Sequence, residues 1–287
     1  MANATRVAFG DIGDDRVRHA VSVLADDQCI VPVVVGTNVE LEAFADLDAS
    51  NRIEVAADQD VLTALANAVR SGRADAGVSG SLSTSAAVIR AGIKTLGARR
   101  LVTGCFVIDT GESQMTFADC SVVPDPTADQ LVEIAVAAGE SHRAMTGDEP
   151  RVAMLSFSTA GSATHASAVK VRAATVSIRS ARPDLHVDGE MQFDAATVPE
   201  IGRRKFPMST VAGHANVLVF PTLDAGNIAY KVAERLGHAR ALGSYILNLQ
   251  YPWVDLSRGC TVDDLVNTVR LLVQTTEDAD STKERIA

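Results

Sequence analysis

Short apolar runs alternate with longer stretches in which apolar residues recur every three or four positions. The run Arg6-Val7-Ala8-Phe9 predicts a strand. Over 14–24 the residues Val17, Ala20, Val21 and Leu24 share one stripe and predict a helix. A strand over 30–35 follows, ended by Gly36, then a helix over 39–47 and a short strand over 52–55. Helical spacing returns over 60–70 with Leu62, Leu65, Ala66 and Val69. A strand over 76–79 runs into Gly80, and a helix over 83–93 follows. The stretches 101–108 and 114–118 predict a hairpin around Thr110-Gly111. Strands separated by helical stretches imply right-handed βαβ units and a mainly parallel sheet covered on both faces.

The string Pro124-Asp125-Pro126-Thr127 breaks this rhythm, and a long helix is expected over 128–145. The alternation restarts at Val152-Ala153-Met154-Leu155 and includes a buried strand at Asn216-Val217-Leu218-Val219-Phe220. The expected organisation is a discontinuous first αβα domain, 1–127 with 252–287, and a second αβα domain, 128–251. The last helix is expected over 262–274, with a polar, fraying tail after Thr275.

Composition narrows the function. The 287 residues are 47 % hydrophobic and 22 % charged, as in ordinary globular chains. No run of about 18 uncharged apolar residues appears, so no membrane association is expected. The formal charge of −10 argues against a broad nucleic-acid surface, but a local arginine site for one small anion remains compatible with it. Cys29, Cys105, Cys120 and Cys260 have no zinc-ligand spacing and are read as free thiols. No metal site is expected. No export leader opens the chain, so a cytoplasmic location is expected.

The nucleotide signatures GxxxxGK[ST] and GxGxxG are missing, as are GxSxG and HExxH. What remains is a set of small-polar clusters just after expected strands. Ser156-Phe157-Ser158-Thr159-Ala160-Gly161-Ser162-Ala163 offers hydroxyls and backbone N–H groups to an anion, or simply caps a helix. In Asp255-Leu256-Ser257-Arg258-Gly259-Cys260-Thr261-Val262-Asp263-Asp264, an arginine fork stands near a carboxylate able to accept a proton. Thr261 with Asp264 also reads as a capping pair. Ser79-Gly80-Ser81-Leu82-Ser83-Thr84-Ser85 is followed by Arg90. Gly226-Asn227 is either turn chemistry or an amide offered to a ligand. His214 is read as structural or as a surface residue. Ligands of open α/β sheets sit beyond the carboxyl ends of the strands, so a two-domain enzyme binding a small anionic, phosphorylated molecule is expected.

Five strings occur in order over about residues 120 to 275: Arg151-Val152-Ala153-Met154-Leu155-Ser156-Phe157-Ser158-Thr159 with Gly161-Ser162-Ala163, Asp188-Gly189-Glu190-Met191-Gln192-Phe193-Asp194-Ala195-Ala196, Val211-Ala212-Gly213-His214-Ala215-Asn216-Val217, Gly226-Asn227-Ile228-Ala229-Tyr230-Lys231 and Asp255-Leu256-Ser257-Arg258-Gly259-Cys260. Together they resemble the phosphate acetyltransferase (phosphotransacetylase) and phosphate acetyl-butyryltransferase family. The resemblance implies two αβα domains of isopropylmalate-dehydrogenase-like architecture with an interdomain cleft, and a homodimer. It implies reversible transfer of a short acyl group, acetyl first, between acyl phosphate and coenzyme A, the latter a substrate and no resident cofactor being needed. By the same resemblance Asp264 takes the thiol proton, and Arg258 and Ser257 hold the acyl phosphate. Arg90, Ser158, Thr159, Gly161, Ser162 and Asn227 are the substrate-binding candidates. The chain lacks the family's Tyr-x-Leu-Arg segment, and Val254 stands where an asparagine is usual. These departures define the alternative, a catalytically impaired relative that binds acyl-CoA or acyl phosphate. A dehydrogenase of a related two-domain fold stands third.

Overall fold

The computed structural model describes residues 4–56 and 58–284. The chain begins with β1 (Thr5–Phe9), α1 (Asp15–Ala25), β2 (Ile30–Gly36), α2 (Asn38–Leu41), β3 (Arg52–Glu54), α3 (Val61–Arg70), β4 (Ala76–Ser79) and α4 (Ser85–Leu96). The hairpin β5 (Ala98–Asp109) and β6 (Gln114–Ala118) follows, then α5 (Ala128–Thr146), β7 (Arg151–Leu155), α6 (Ala166–Ala181) and β8 (His186–Met191). Two short helices, α7 (Phe193–Thr197) and α8 (Pro199–Lys205), precede β9 (Val217–Val219) and α9 (Leu223–Arg235). The last elements are β10 (Arg240–Leu249), β11 (Trp253–Asp255) and α10 (Val262–Glu284).

Two compact units result: Met1–Arg99 with Leu242–Ala287, and Arg100–Ala241. The seams lie earlier than 127 and 251. The cause is strand pairing. β6 pairs in parallel with β9, Thr116 opposite Val217, which holds the hairpin in the second unit. β10 pairs with β11, Tyr245 opposite Val254, which holds it in the first.

In the first unit the strand order is β3-β2-β1-β4-β11-β10. All neighbours are parallel except β10 with β11. Val33, Val34 and Val35 are all buried, which requires cover on both faces of β2. α1 packs against α10, and α3 against α4. The expected 39–47 helix is shorter: α2 ends at Leu41 and a single 3₁₀ turn, Glu42–Phe44, completes it. The last helix is longer than expected and runs to Glu284, past the anticipated end at 274.

Trp253 of β11 is 1 % exposed, and its indole N–H donates to the Val88 carbonyl at 3.1 Å. It fits because Gly77 of β4 and Gly92 of α4 lack side chains; a Cβ at Gly77 would stand 2.4 Å from the ring. Trp253 therefore fills the interior and lines no binding site.

In the second unit the strand order is β5-β6-β9-β7-β8, parallel apart from the hairpin. Its core gathers Phe106, Ile108, Phe117, Leu155, Met191 and Leu218. Phe106 stacks on Tyr230 of α9 with centroids 4.1 Å apart.

Candidate functional site

β1, β4 and β11 are parallel neighbours, so the loops that follow them emerge at one edge of the first unit's sheet. Asp11, just after β1, reaches into the loop after β4. Its Oδ2 accepts from the Ser79 hydroxyl at 2.9 Å and from the Gly80 N–H at 2.7 Å, with longer bonds from the N–H groups of Leu82 and Ser83. Its Oδ1 accepts from the Ser83 hydroxyl at 2.8 Å. The backbone of Asp11 is left-handed, φ 51°. Gly80 has φ +112°, and a Cβ there would meet the Leu256 backbone N at 2.6 Å. The loop that looks like an anion cradle is thus filled by the protein's own carboxylate.

The loop after β11 carries the candidate chemistry. Ser257 is half-buried, and its hydroxyl accepts from the Gly259 N–H at 3.3 Å. Arg258 is exposed, and among the described residues its guanidinium makes no hydrogen bond or ion pair. Arg90 is likewise exposed on the second turn of α4 without a described partner. Asp264 sits at the third position of α10. Its Oδ2 accepts from the N–H of Thr261 at 2.9 Å and from its hydroxyl at 2.7 Å, while the Asp264 N–H donates back to that hydroxyl at 3.1 Å. The capping pair is present, yet it uses one carboxylate oxygen only; no described residue bonds Oδ1.

Asp255 ends β11 with 3 % exposure, and its Oδ1 is buried without a hydrogen-bond partner. Burial pushes the carboxyl up to about 6; Asp11 adds to this, and the Ser85 hydroxyl and Arg258 oppose it. His142 of α5 is also fully buried, with Nδ1 2.9 Å from the Thr116 hydroxyl and Nε2 without a partner. Burial pushes this imidazole down to about 4 from 6.5. The two groups have opposite linkage. Between about pH 4 and 6.5 the unfolded chain binds the His142 proton more tightly, so that contribution to stability rises with pH. Between 3.8 and about 6 the folded chain binds the Asp255 proton more tightly, so that contribution falls with pH. Asp255→Asn removes the second slope. We expect it to be more stable than the wild type by about 3 kcal/mol at pH 7, the gain vanishing toward pH 4. Urea unfolding at both pH values measures this, and a gain that persists at pH 4 contradicts the assignment.

In the second unit the loop after β7 closes on Glu190, near the end of the neighbouring strand β8. Ser158, fully buried, donates its hydroxyl to Glu190 Oε1 at 2.7 Å, and the Gly161 N–H donates to the same oxygen at 3.0 Å. Arg172 of α6 forks onto the carboxylate, Nε to Oε2 and Nη2 to Oε1, both at 2.9 Å. Burial alone raises the Glu190 carboxyl, but Arg172, Ser158 and the Gly161 N–H together bring it down to about 2. Ser162 Oγ lies 3.2 Å from Ser158 Oγ and accepts from the Thr159 N–H at 3.0 Å. Thr159 accepts from the Gln192 N–H at 2.9 Å. Neither Ser162 nor Thr159 caps a helix, since α6 starts at Ala166 and is capped by His165.

Ser158, Thr159, Gly161 and Ser162 are therefore gathered, but the Ser158 hydroxyl and the Gly161 N–H face an internal carboxylate and are not free for a ligand. Asn227, on the second turn of α9, gives its amide N–H to the Cys120 carbonyl at 3.2 Å, and among the described residues it has no bond to the Glu190 group. Arg258, Ser257 and Asp264 share one loop and helix start. Four structural residues escaped the sequence reading: Asp11, Arg16, Arg172 and Glu190. The strings Gly10-Asp11 and Asp188-Gly189-Glu190 hold two of them at strand ends, where a lone acid opposite a serine-glycine loop is the available signal.

Two mainly parallel α/β units with polar loops at the carboxyl ends of their strands define the class of fold. The chain belongs to the Phosphate acetyl/butaryl transferase family, whose pattern matches residues 49–273. A phosphate acetyltransferase of Clostridium acetobutylicum is 45 % identical over 72 % of this chain; the match spans 65 % of that protein, a little under two thirds. The phosphate acetyltransferase of Bacillus subtilis is 37 % identical over 91 % of this chain and 92 % of its own length. The crystal structure of a phosphotransacetylase from Streptococcus pyogenes superposes with a TM-score of 0.84 at 33 % identity, covering 96 % of this chain and 95 % of that one.

Proposed function

We propose that this protein reversibly transfers a short acyl group, acetyl, between acyl phosphate and coenzyme A. The observation that carries the reading is the loop after β11. It presents an unpaired Arg258 and the Ser257 hydroxyl just ahead of a helix whose Asp264 keeps Oδ1 free. A thiol of ordinary pKa, about 8.5, is mostly protonated at neutral pH. Asp264 Oδ1 accepts that proton as the sulfur bonds to the acyl carbon. The carbonyl oxygen becomes an oxyanion, which Arg258 and Ser257 stabilise. The oxyanion then re-forms the carbonyl, the bond between the acyl carbon and the bridging oxygen breaks, and phosphate leaves with that bonding electron pair. Coenzyme A and acyl phosphate are the partners, and the scheme calls for no resident cofactor.

A thioester-formation assay with coenzyme A and acetyl, propionyl and butyryl phosphates tests this, with acetyl phosphate expected to be the best substrate. Binding without turnover across the panel favours the second reading, a ligand-binding relative, which the engagement of Asp264 Oδ2 in the helix cap supports. A homodimer is part of the proposal. Ile228 and Val232 of α9 and Leu236 at its C-terminal cap are 62, 49 and 77 % exposed and recur every fourth residue, an apolar stripe suited to a second copy. A cytoplasmic location fits the four free thiols and the lack, among the described residues, of a helix apolar enough to cross a membrane.

A further inference from the structure

We propose that Arg16 is the residue that positions the Arg258 loop for the chemistry. This rests on the acyl-transfer reading. Arg16 lies on α1, far along the chain from the loop it holds. Its Nη1 donates to the carbonyls of Arg258 and Cys260, both at 2.8 Å. Its Nη2 donates to the Ser81 carbonyl at 3.1 Å and to Asp14 Oδ2 at 2.7 Å, and its Nε donates to Asp14 Oδ1 at 3.1 Å. Every N–H of the guanidinium is thereby engaged.

The geometry has a function because the loop has little else. Residues 256–261 lie outside regular structure. The Ser257 carbonyl accepts from the Cys260 N–H at 3.0 Å and the Thr261 carbonyl from the Leu265 N–H of α10 at 3.1 Å, while the carbonyls of Arg258 and Cys260 are taken by Arg16. Arg16 thus supplies the partner that the middle of the loop does not find in a strand or helix. It ties the backbone of Arg258 to the loop after β4, which Asp11 in turn holds rigid. Asp14, 9 % exposed, fixes the fork by a two-point pair and also caps α1 through the Arg16 N–H at 2.9 Å. The planar fork is required: lysine carries a compact ammonium and cannot reach both loop carbonyls, the Ser81 carbonyl and Asp14 at once. Arg16 touches only backbone at 258, so it acts through the direction in which it holds that guanidinium and not on substrate.

The test is a double-mutant cycle on the full chain with a structural readout beside it. Arg16→Lys is expected to lower kcat at least tenfold in the wild-type background and less than twofold in Arg258→Ala. Equal losses in both backgrounds overturn the proposal, because a general structural defect does not depend on the presence of Arg258. Hydrogen exchange provides the arm that needs no activity. The amides of Gly259 and Cys260 are expected to exchange at least tenfold faster in Arg16→Lys and in Arg16→Gln, with those of β1 and β2 unchanged. Unchanged exchange at 259 and 260 overturns the positioning role whether or not the chain transfers acyl groups. Faster exchange in a chain whose wild type has no turnover keeps the clamp and overturns the acyl-transfer reading instead.

Discussion

Arg258→Ala is expected to lower turnover at least about a hundredfold, the size typical of losing one donor to a developing oxyanion. The exposed guanidinium makes no described contact that folding needs, so the melting temperature should hardly move. Asp264 needs a subtler change, because its Oδ2 completes the cap of α10. Asp264→Ala removes a base and a cap together, the cap alone being worth about 1 kcal/mol. Asp264→Asn keeps an acceptor for Thr261 but cannot take a proton. It should lose about a hundredfold in turnover while melting within a few degrees of the wild type. Full turnover in both Arg258→Ala and Asp264→Asn removes this loop from the mechanism.

Glu190→Ala is expected to carry the largest cost in stability, about 1–3 kcal/mol, the range for leaving buried donors without an acceptor; the solvent-exposed Arg172 guanidinium adds little. Four donors lose their acceptor at once: the two Arg172 nitrogens, the Ser158 hydroxyl and the Gly161 N–H. Ser158 has no water to turn to, since it is fully buried. Glu190→Gln keeps the shape and one acceptor oxygen, and should lose a smaller part. Urea unfolding followed by circular dichroism measures both. An alanine variant as stable as the wild type means that the loop after β7 is held by something other than this carboxylate.

The strands and main helices were legible because apolar spacing is a local property. Val17, Ala20, Val21 and Leu24 form the buried face of α1 as their spacing requires. Thr127 and Gln130 close a capping box at the start of α5. The resemblance carried by five short strings also led to the family. What could not be read was which group fills each polar loop. Ser79 to Ser83 and Ser158 to Gly161 display donors in the sequence, but their acceptors, Asp11 and Glu190, come from strand ends brought alongside only by the parallel sheet. The sequence displays the donors without the internal acceptors they meet in the fold. The unit boundaries were misplaced for the same reason. Pro124 and Pro126 interrupt the local pattern, whereas the seam is set by the non-local pairing of β6 with β9. The Arg16 clamp spans 242 and 244 positions to its loop carbonyls, a separation at which no periodicity gives a signal.

The seat of Trp253 between two glycines has a practical outcome. The protein contains one tryptophan, and it belongs to the unit formed by Met1–Arg99 and Leu242–Ala287. Its fluorescence should be blue in the native state and should shift red only when that unit opens. The emission is thus a native reporter of one half of the molecule and is blind to the other. Laid over a far-ultraviolet melting curve, it tells whether the two halves come apart in one cooperative event or in sequence.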